Sequence, residues 1–188
     1  MTDLKSKALA LLAALIVLAK PASAAERRES YAAPVGTCDG YPKLSIGMAK
    51  GFCAGLVAGP TRTDTSRTML FPRELVELDD DTWLVTDLGG WGTTRGAVWK
   101  LKAKRGEPSR VSRMLGGLNL PHAIAMGTDG KVYVGEMSRI FRFDPRAADP
   151  QQTIETVVAD LPDNRLHENR HPLSAFAFAA DGALLVNI

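Results

Sequence analysis

His167 and His171 stand four residues apart, with Glu168 between them, in His167-Glu168-Asn169-Arg170-His171. On a helix this spacing puts both imidazoles on one face and aims the glutamate at a zinc-bound water, the arrangement of a zinc protease. The surroundings argue against a helix. Leu161-Pro162-Asp163-Asn164 precedes the motif, and Pro172 follows His171 directly, which disfavours α geometry at that histidine. The zinc reading therefore falls, and no metal ligand is assigned. His171 is left as a single imidazole in a polar loop between strands. Its free pKa of roughly 6.5 suits a general base, while the plainer reading is a solvated loop side chain.

Other chemistry-bearing residues are fewer. His122 opens a strand, where a structural role is the ordinary one. Trp83, Trp91 and Trp99 all read as packing between strands, and Trp91, in Gly89-Gly90-Trp91-Gly92, is the one whose loop context also suits ligand stacking. Asp79-Asp80-Asp81 lacks the alternating ligands and distal glutamate of a calcium loop, so it reads as a tight turn. The basic cluster Lys100, Lys102, Lys104, Arg105, Arg110 and Arg113 straddles Gly106 and Pro108 without interleaved aromatics and reads as a solvated loop.

The elements that must position these residues form a repeat. Pro72 to Leu78, Asp79-Asp80-Asp81, and Thr82 to Asp87 read as strand, acidic turn, strand. The pattern recurs at Pro121–Glu136 around Asp129, and at Leu173–Ile188 around Asp181. The turn aspartates Asp80, Asp129 and Asp181 are 49 and 52 residues apart. Gly96–Leu101 and Arg110–Met114 supply a third and fourth strand to the first unit, and Ser138–Pro145 and Thr153–Val158 to the second. Four strands per unit at a period of about fifty residues predicts an all-β fold, a β-propeller of four-stranded blades, over 68–188. An ordinary antiparallel sandwich explains the strands but not the period. About two and a half blades are present, against the 4–8 of a closed propeller. The chain stops within a predicted strand at Val186-Asn187-Ile188, so the pattern predicts the N-terminal part of a longer protein. Assembly from several chains or a truncated reading frame are the alternatives.

The beginning of the chain sets the compartment. Lys5 and Lys7 precede an unbroken apolar run from Ala8 to Ala19, and Ala22-Ser23-Ala24 fits a small-residue cleavage site. Residues 1–24 thus read as a signal peptide, its apolar run shorter than the roughly 18–20 residues of a membrane span. No cysteine follows the run to carry a lipid. Without Lys5, Lys7, Lys20 and Asp3, the 23 basic and 21 acidic residues become equal in number, so net charge suggests no nucleic-acid partner. A periplasmic or secreted chain with no stable membrane anchor after signal cleavage is expected. Residues 25–67 show little periodicity and many Gly and Pro, which predicts an irregular segment wrapped over the domain that follows. Its cysteines, Cys38 and Cys53, are expected to form a disulfide, worth on the order of 3 kcal/mol in the chain-entropy model.

Over roughly 68–188 the chain resembles the soluble glucose/sorbosone dehydrogenases, six-bladed propellers that use pyrroloquinoline quinone (PQQ). The resemblance lies in His171-Pro172-Leu173-Ser174-Ala175-Phe176-Ala177-Phe178-Ala179-Ala180-Asp181-Gly182, which matches the family's blade-opening loop, strand and turn, and in Val158-Ala159-Asp160-Leu161-Pro162. Pro72–Asp87 and Gly96–Leu101 resemble the family's opening blade. The resemblance implies that His171 removes the proton of a sugar hydroxyl while hydride passes to PQQ. The family's glutamine contact to the cofactor is absent. Gly117-Leu118-Asn119-Leu120-Pro121-His122 stands there, leaving Asn119 and His122 as the candidate contacts, with Arg170 near an anionic quinone. Calcium is implied by the resemblance only, without assigned ligands. A small-molecule sugar and a separate electron acceptor are the implied partners, since no haem motif is present. A non-catalytic propeller binding module and a lactonase-type propeller hydrolase are the alternatives.

Overall fold

The computed structural model describes residues 32–58, 69–162, 173 and 175–187. The predicted signal peptide and the histidine motif at 167–171 lie outside the described residues. From Ala32 onward the chain is one compact unit. Its strands are β1 (Ala32–Cys38), β2 (Tyr41–Leu44), β3 (Pro72–Asp79), β4 (Thr82–Asp87), β5 (Gly96–Lys102), β6 (Arg110–Leu118), β7 (Ile124–Met126), β8 (Val132–Gly135), β9 (Ile140–Phe143), β10 (Glu155–Val158), β11 (Ala175–Phe178) and β12 (Leu184–Asn187). A short 3-10 helix, Pro150–Thr153, precedes β10, its first turn capped by Asp149. The fold is all-β, as predicted, with antiparallel sheets of which none closes on itself. No helix among the described residues is long and apolar enough to cross a membrane.

Two four-stranded meanders, β3-β4-β5-β6 and β7-β8-β9-β10, are followed by the hairpin β11-β12. Their turns explain the aspartate spacing, with one difference. In the second and third hairpins the loop is the same: Gly127 N–H bonds Lys131 O and Ala179 N–H bonds Ala183 O, each at 2.8 Å. Asp129 accepts from Lys131 N at 3.1 Å and Asp181 from Ala183 N at 3.0 Å. A glycine follows each aspartate in the left-handed region, Gly130 at φ 74° and Gly182 at φ 86°. The first hairpin instead turns in two residues, Asp80 and Asp81, with Asp79 opposite Thr82 and Asp81 left-handed at φ 60°. Asp80 therefore marks the repeat without sharing its turn.

The sheets stack face to face. Strand alternation sends Leu84 and Val98 of the first meander to one side, with Leu78, Leu115 and Leu118. They meet Ile124, Val132, Val134, Phe141 and Phe143 of the second. The second meander's other face, with Ala123, Tyr133 and Ile140, packs on Leu173 and Phe176. Tyr133 meets Phe178 edge-to-face, ring centroids 4.9 Å apart. In each step the first strands are neighbours, β3 beside β7 and β7 beside β11. Contact is close at Gly135, where a Cβ would lie 2.2 Å from Leu173 Cδ2. Equivalent positions show the stacking direction. Leu75 corresponds by the 49-residue spacing to the buried Ile124, yet it is 60% exposed, because no described sheet covers that side of the first meander.

The N-terminal segment is less irregular than its composition suggested. β1 and β2 pair antiparallel across Asp39 and Gly40, both left-handed, and Cys38 and Cys53 are disulfide-bonded. The segment lies against the β5–β6 loop. Tyr41 Oη donates to Lys104 O at 3.0 Å, Arg105 pairs with Asp39, and Ser109 Oγ donates to Val57 O.

Across β8, β9 and β10, Tyr133, Arg142 and Glu155 lie side by side. Arg142 bonds both Glu155 oxygens at 2.9 Å and Asp129 Oδ2 at 3.0 Å. The hydrogen bond from Arg142 is the main cause holding the Glu155 carboxyl below its ordinary range. For Asp129, partial burial opposes ionisation most strongly, but the Lys131 amide, the Tyr133 hydroxyl and Arg142 together outweigh it and lower the pKa. Both depressed carboxyls add stability that is fully present above their unfolded-state values, about 4, and is lost as pH falls through the lower folded-state values. Denaturant midpoints measured from pH 6 down to pH 2 should fall below about pH 4. The acid-side fall should shrink in Arg142→Met. Separately, Gly135→Val should destabilise the fold by about 1–3 kcal/mol in urea unfolding, because Leu173 has to move.

Candidate functional site

One end of the stacked sheets gathers the candidates. There β3, β5, β7 and β9 begin, so the loop 88–95, the connection 119–123 and the loop 136–139 all lie at this end. Two buried carboxylates organise it. Asp87, 1% exposed, accepts from the backbone N–H of Leu70 at 3.0 Å, Phe71 at 2.7 Å and Gly89 at 3.0 Å, and from Trp99 Nε1 at 3.1 Å. Glu136, 3% exposed, accepts from Asn119 N at 2.6 Å and pairs with Arg139. A buried carboxylate persists only when its oxygens are bonded in this way. The two are 49 residues apart, the spacing of the first two turn aspartates, and each holds the amide 17 residues before it. Asn119 is thus anchored as Leu70 is, by the same device one unit later.

Neighbouring bonds fix the connection that carries Asn119 and His122. Met137 N–H donates to Asn119 O at 3.1 Å, and Leu120 is left-handed at φ 50°. Leu88, Leu120 and Met137 form a small apolar cluster of their own. His122 is half-buried; its N–H bonds Gly135 O at 2.9 Å, and Thr86 Oγ1 donates to its carbonyl at 2.6 Å. Glu74 Oε2 accepts from Ile124 N at 2.9 Å, so the first meander holds the second at the level of these residues. Asn119 Oδ1 is buried and has no hydrogen-bond partner among the described residues.

Trp91 does not pack as the sequence reading expected: it is 63% exposed, because the loop 88–95 carries it beyond the strands, and the Arg73 guanidinium sits 5.7 Å from its ring centroid. The turn before it requires glycine. Gly89 and Gly90 have positive φ, and a Cβ on Gly89 would lie 2.0 Å from Arg95 O. Trp99 is buried, in keeping with the packing role read from the sequence, while Trp83 is half-buried.

The structure therefore brings Asn119 and His122 together on one connection. His171 and Arg170 lie outside the described residues. The flanking Leu161 and Leu173 join the apolar layer that contains Ala123. Sequence reasoning missed Asp87, Glu136, Glu74 and Thr86. The signal for the first two was available in their 49-residue spacing. The interlocking role of Glu74 and Thr86 had no sequence signal. Among the described residues no group of three His, Cys, Asp or Glu is placed to hold a metal ion. A cleft of about 340 Å³ lies at the opposite end, between Asp80, Asp81, Lys102, Lys104 and Arg110, and contains none of the candidates. Compared with protein-family models, curated proteins and solved structures, the chain matches none.

Chemically, the end presents a buried amide acceptor at Asn119, an imidazole at His122, and an exposed indole under a guanidinium. Their placement depends on the two carboxylates. Glu136→Ala should lower stability by about 2–3 kcal/mol, since it leaves the Asn119 amide and Arg139 without their acceptor. Asp87→Ala should cost more, because it strands four donors. Urea unfolding of both variants checks the order, and equal losses would mean that the two anchors are not graded by their bonds.

Proposed function

We propose that the stacked meanders are successive blades of a β-propeller, and that the chain is an exported quinoprotein sugar dehydrogenase of the glucose/sorbosone type. The single observation that carries a binding role for this end is the buried Asn119 Oδ1, an acceptor that lacks a donor among the described residues. A cofactor carrying an N–H or O–H donor fits that need. PQQ as the cofactor, calcium beside it, and an aldose or sugar aldehyde as substrate rest on the resemblance over 68–188. The repeated face-to-face stacking, with first strands adjacent, supports the blade arrangement. The Cys38–Cys53 disulfide supports an oxidising, periplasmic or secreted setting.

Asn119 and His122 would hold the cofactor, with Arg170 offering charge to its carboxylates. PQQ, when bound, supplies the hydride acceptor. His171 takes the hydroxyl proton of the sugar as the neutral imidazole, which requires a pH above its pKa, and electrons then leave to a separate acceptor. The competing reading, a propeller that binds without catalysis, is favoured by the exposed Trp91–Arg73 pair, which offers a stacking surface without any base.

The test uses the product of the whole reading frame with PQQ, calcium, an aldose panel and a reducible dye. Dye reduction should depend on PQQ, and His171→Ala should lower kcat by about 10²–10⁴-fold. Asn119→Ala should weaken PQQ binding, read by quenching of tryptophan fluorescence, without unfolding the protein. No dye reduction with any aldose, together with unchanged behaviour of His171→Ala, would leave the binding-module reading in its place.

A further inference from the structure

We propose that the disulfide-pinned loop Ser45–Cys53 is a peripheral contact site for an anionic lipid surface. This goes beyond the dehydrogenase reading and does not depend on it. The neck of the loop is closed by Leu44 N–Ala54 O and Leu56 N–Pro42 O hydrogen bonds, both 2.8 Å, and by the Cys38–Cys53 bond. Beyond the neck every residue is exposed. Ile46 is 50% exposed, Met48 48% and Phe52 71%, the largest value among the big apolar residues described. A Cβ added at Gly47 or Gly51 would meet nothing within 4 Å, so the loop stands clear of the body on those sides. A turn closed by Phe52 N–Ala49 O at 3.0 Å shapes the tip.

Large apolar side chains on a tethered tip gain free energy only when something apolar covers them. The charges select the occupant. Lys43 precedes the apolar residues and Lys50 lies between Met48 and Phe52, no acidic residue occurs between Tyr41 and Ala58, and neither lysine is ion-paired among the described residues. Apolar tips that enter the acyl boundary, with ammonium groups at headgroup level, match an anionic membrane interface. Three side chains bury less than an acyl chain, so the contact is reversible. The disulfide holds the tip in place before contact, which lowers the ordering entropy lost on binding.

The test is hydrogen exchange on the full chain, with vesicles of phosphatidylcholine alone and of phosphatidylcholine with phosphatidylglycerol. Protection should appear in the amides of residues 45–53 with the anionic vesicles and weaken at high salt. It should vanish in the combined variant Ile46→Ser, Met48→Ser, Phe52→Ser, whose β4 and β5 amides should remain protected. Each of Lys43→Gln and Lys50→Gln should lower vesicle binding about fivefold. The local readout separates this contact from any binding by the apolar run at Ala8–Ala19. Unchanged exchange at 45–53 on anionic vesicles, or protection that survives in the serine variant, would overturn the proposal. Protection by an acidic protein but not by vesicles would overturn it too and assign the loop to a protein partner.

Discussion

A meander that is apolar on both faces must be covered twice, and the second sheet of this chain is such a meander. Val132, Val134, Phe141 and Phe143 are fully buried on one side, and Ile140 on the other, with Tyr133 nearly so. Water on either face would expose several large side chains, each worth about 1.5–3 kcal/mol on burial. The first meander and the third hairpin supply the two covers. Tight spacing follows, and it explains why Gly135 faces Leu173 and why Gly96, where a Cβ would lie 2.1 Å from Pro121 Cδ, leaves room for the connection between sheets.

Stacking of this kind leaves the ends of the sheets to be tied, since strands that enter and leave a layer carry backbone groups with no ladder partner. Asp87 and Glu136 meet that need from within the layer. Asp87 is the last residue of β4 and Glu136 directly follows β8, and each turns its carboxylate toward the incoming chain and accepts from backbone N–H there. Thr86 and Glu74 then join one unit to the next. The candidate end is therefore built from structural bonds before any ligand is considered. Asn119 and His122 are positioned by backbone contacts, and none of the bonds that fix Asn119 uses its side-chain oxygen, which has no hydrogen-bond partner among the described residues.

The opposite end is held differently. The N-terminal hairpin, its disulfide and the β5–β6 loop meet through Tyr41, Arg105 and Ser109. Gly40 approaches Gly106 so closely that a Cβ on Gly40 would lie 2.9 Å from Gly106 Cα. The segment is small and has little core, with Cys38 its one buried apolar residue among those described. A covalent bond does there what packing does in the sheets. Its loop can therefore present Ile46, Met48 and Phe52 outward without unravelling.

By itself the sequence determined the strands from Pro72 onward, grouped as two four-stranded units with a third hairpin, and the cysteine pairing. These rest on local signals: alternation along Thr82–Asp87 and Val132–Gly135, glycine after an aspartate at the turns, and an even cysteine count. It also marked Asn119, His122 and Trp91 for attention. Only the tertiary structure decided which carboxylates are structural. Asp80 and Asp87 are the same residue type seven positions apart, yet one sits in an exposed turn and the other is buried with four donors, a difference set by what packs above them. The residue pattern likewise left the region around Cys38 irregular, because β1 and β2 pair through backbone bonds that side-chain periodicity does not record. Leu75 and Ile124 share a repeat position and differ in burial for the same reason: a neighbouring sheet lies over one and not the other. Local chemistry is written in residue types and spacing, whereas burial is a property of what the folded chain brings alongside.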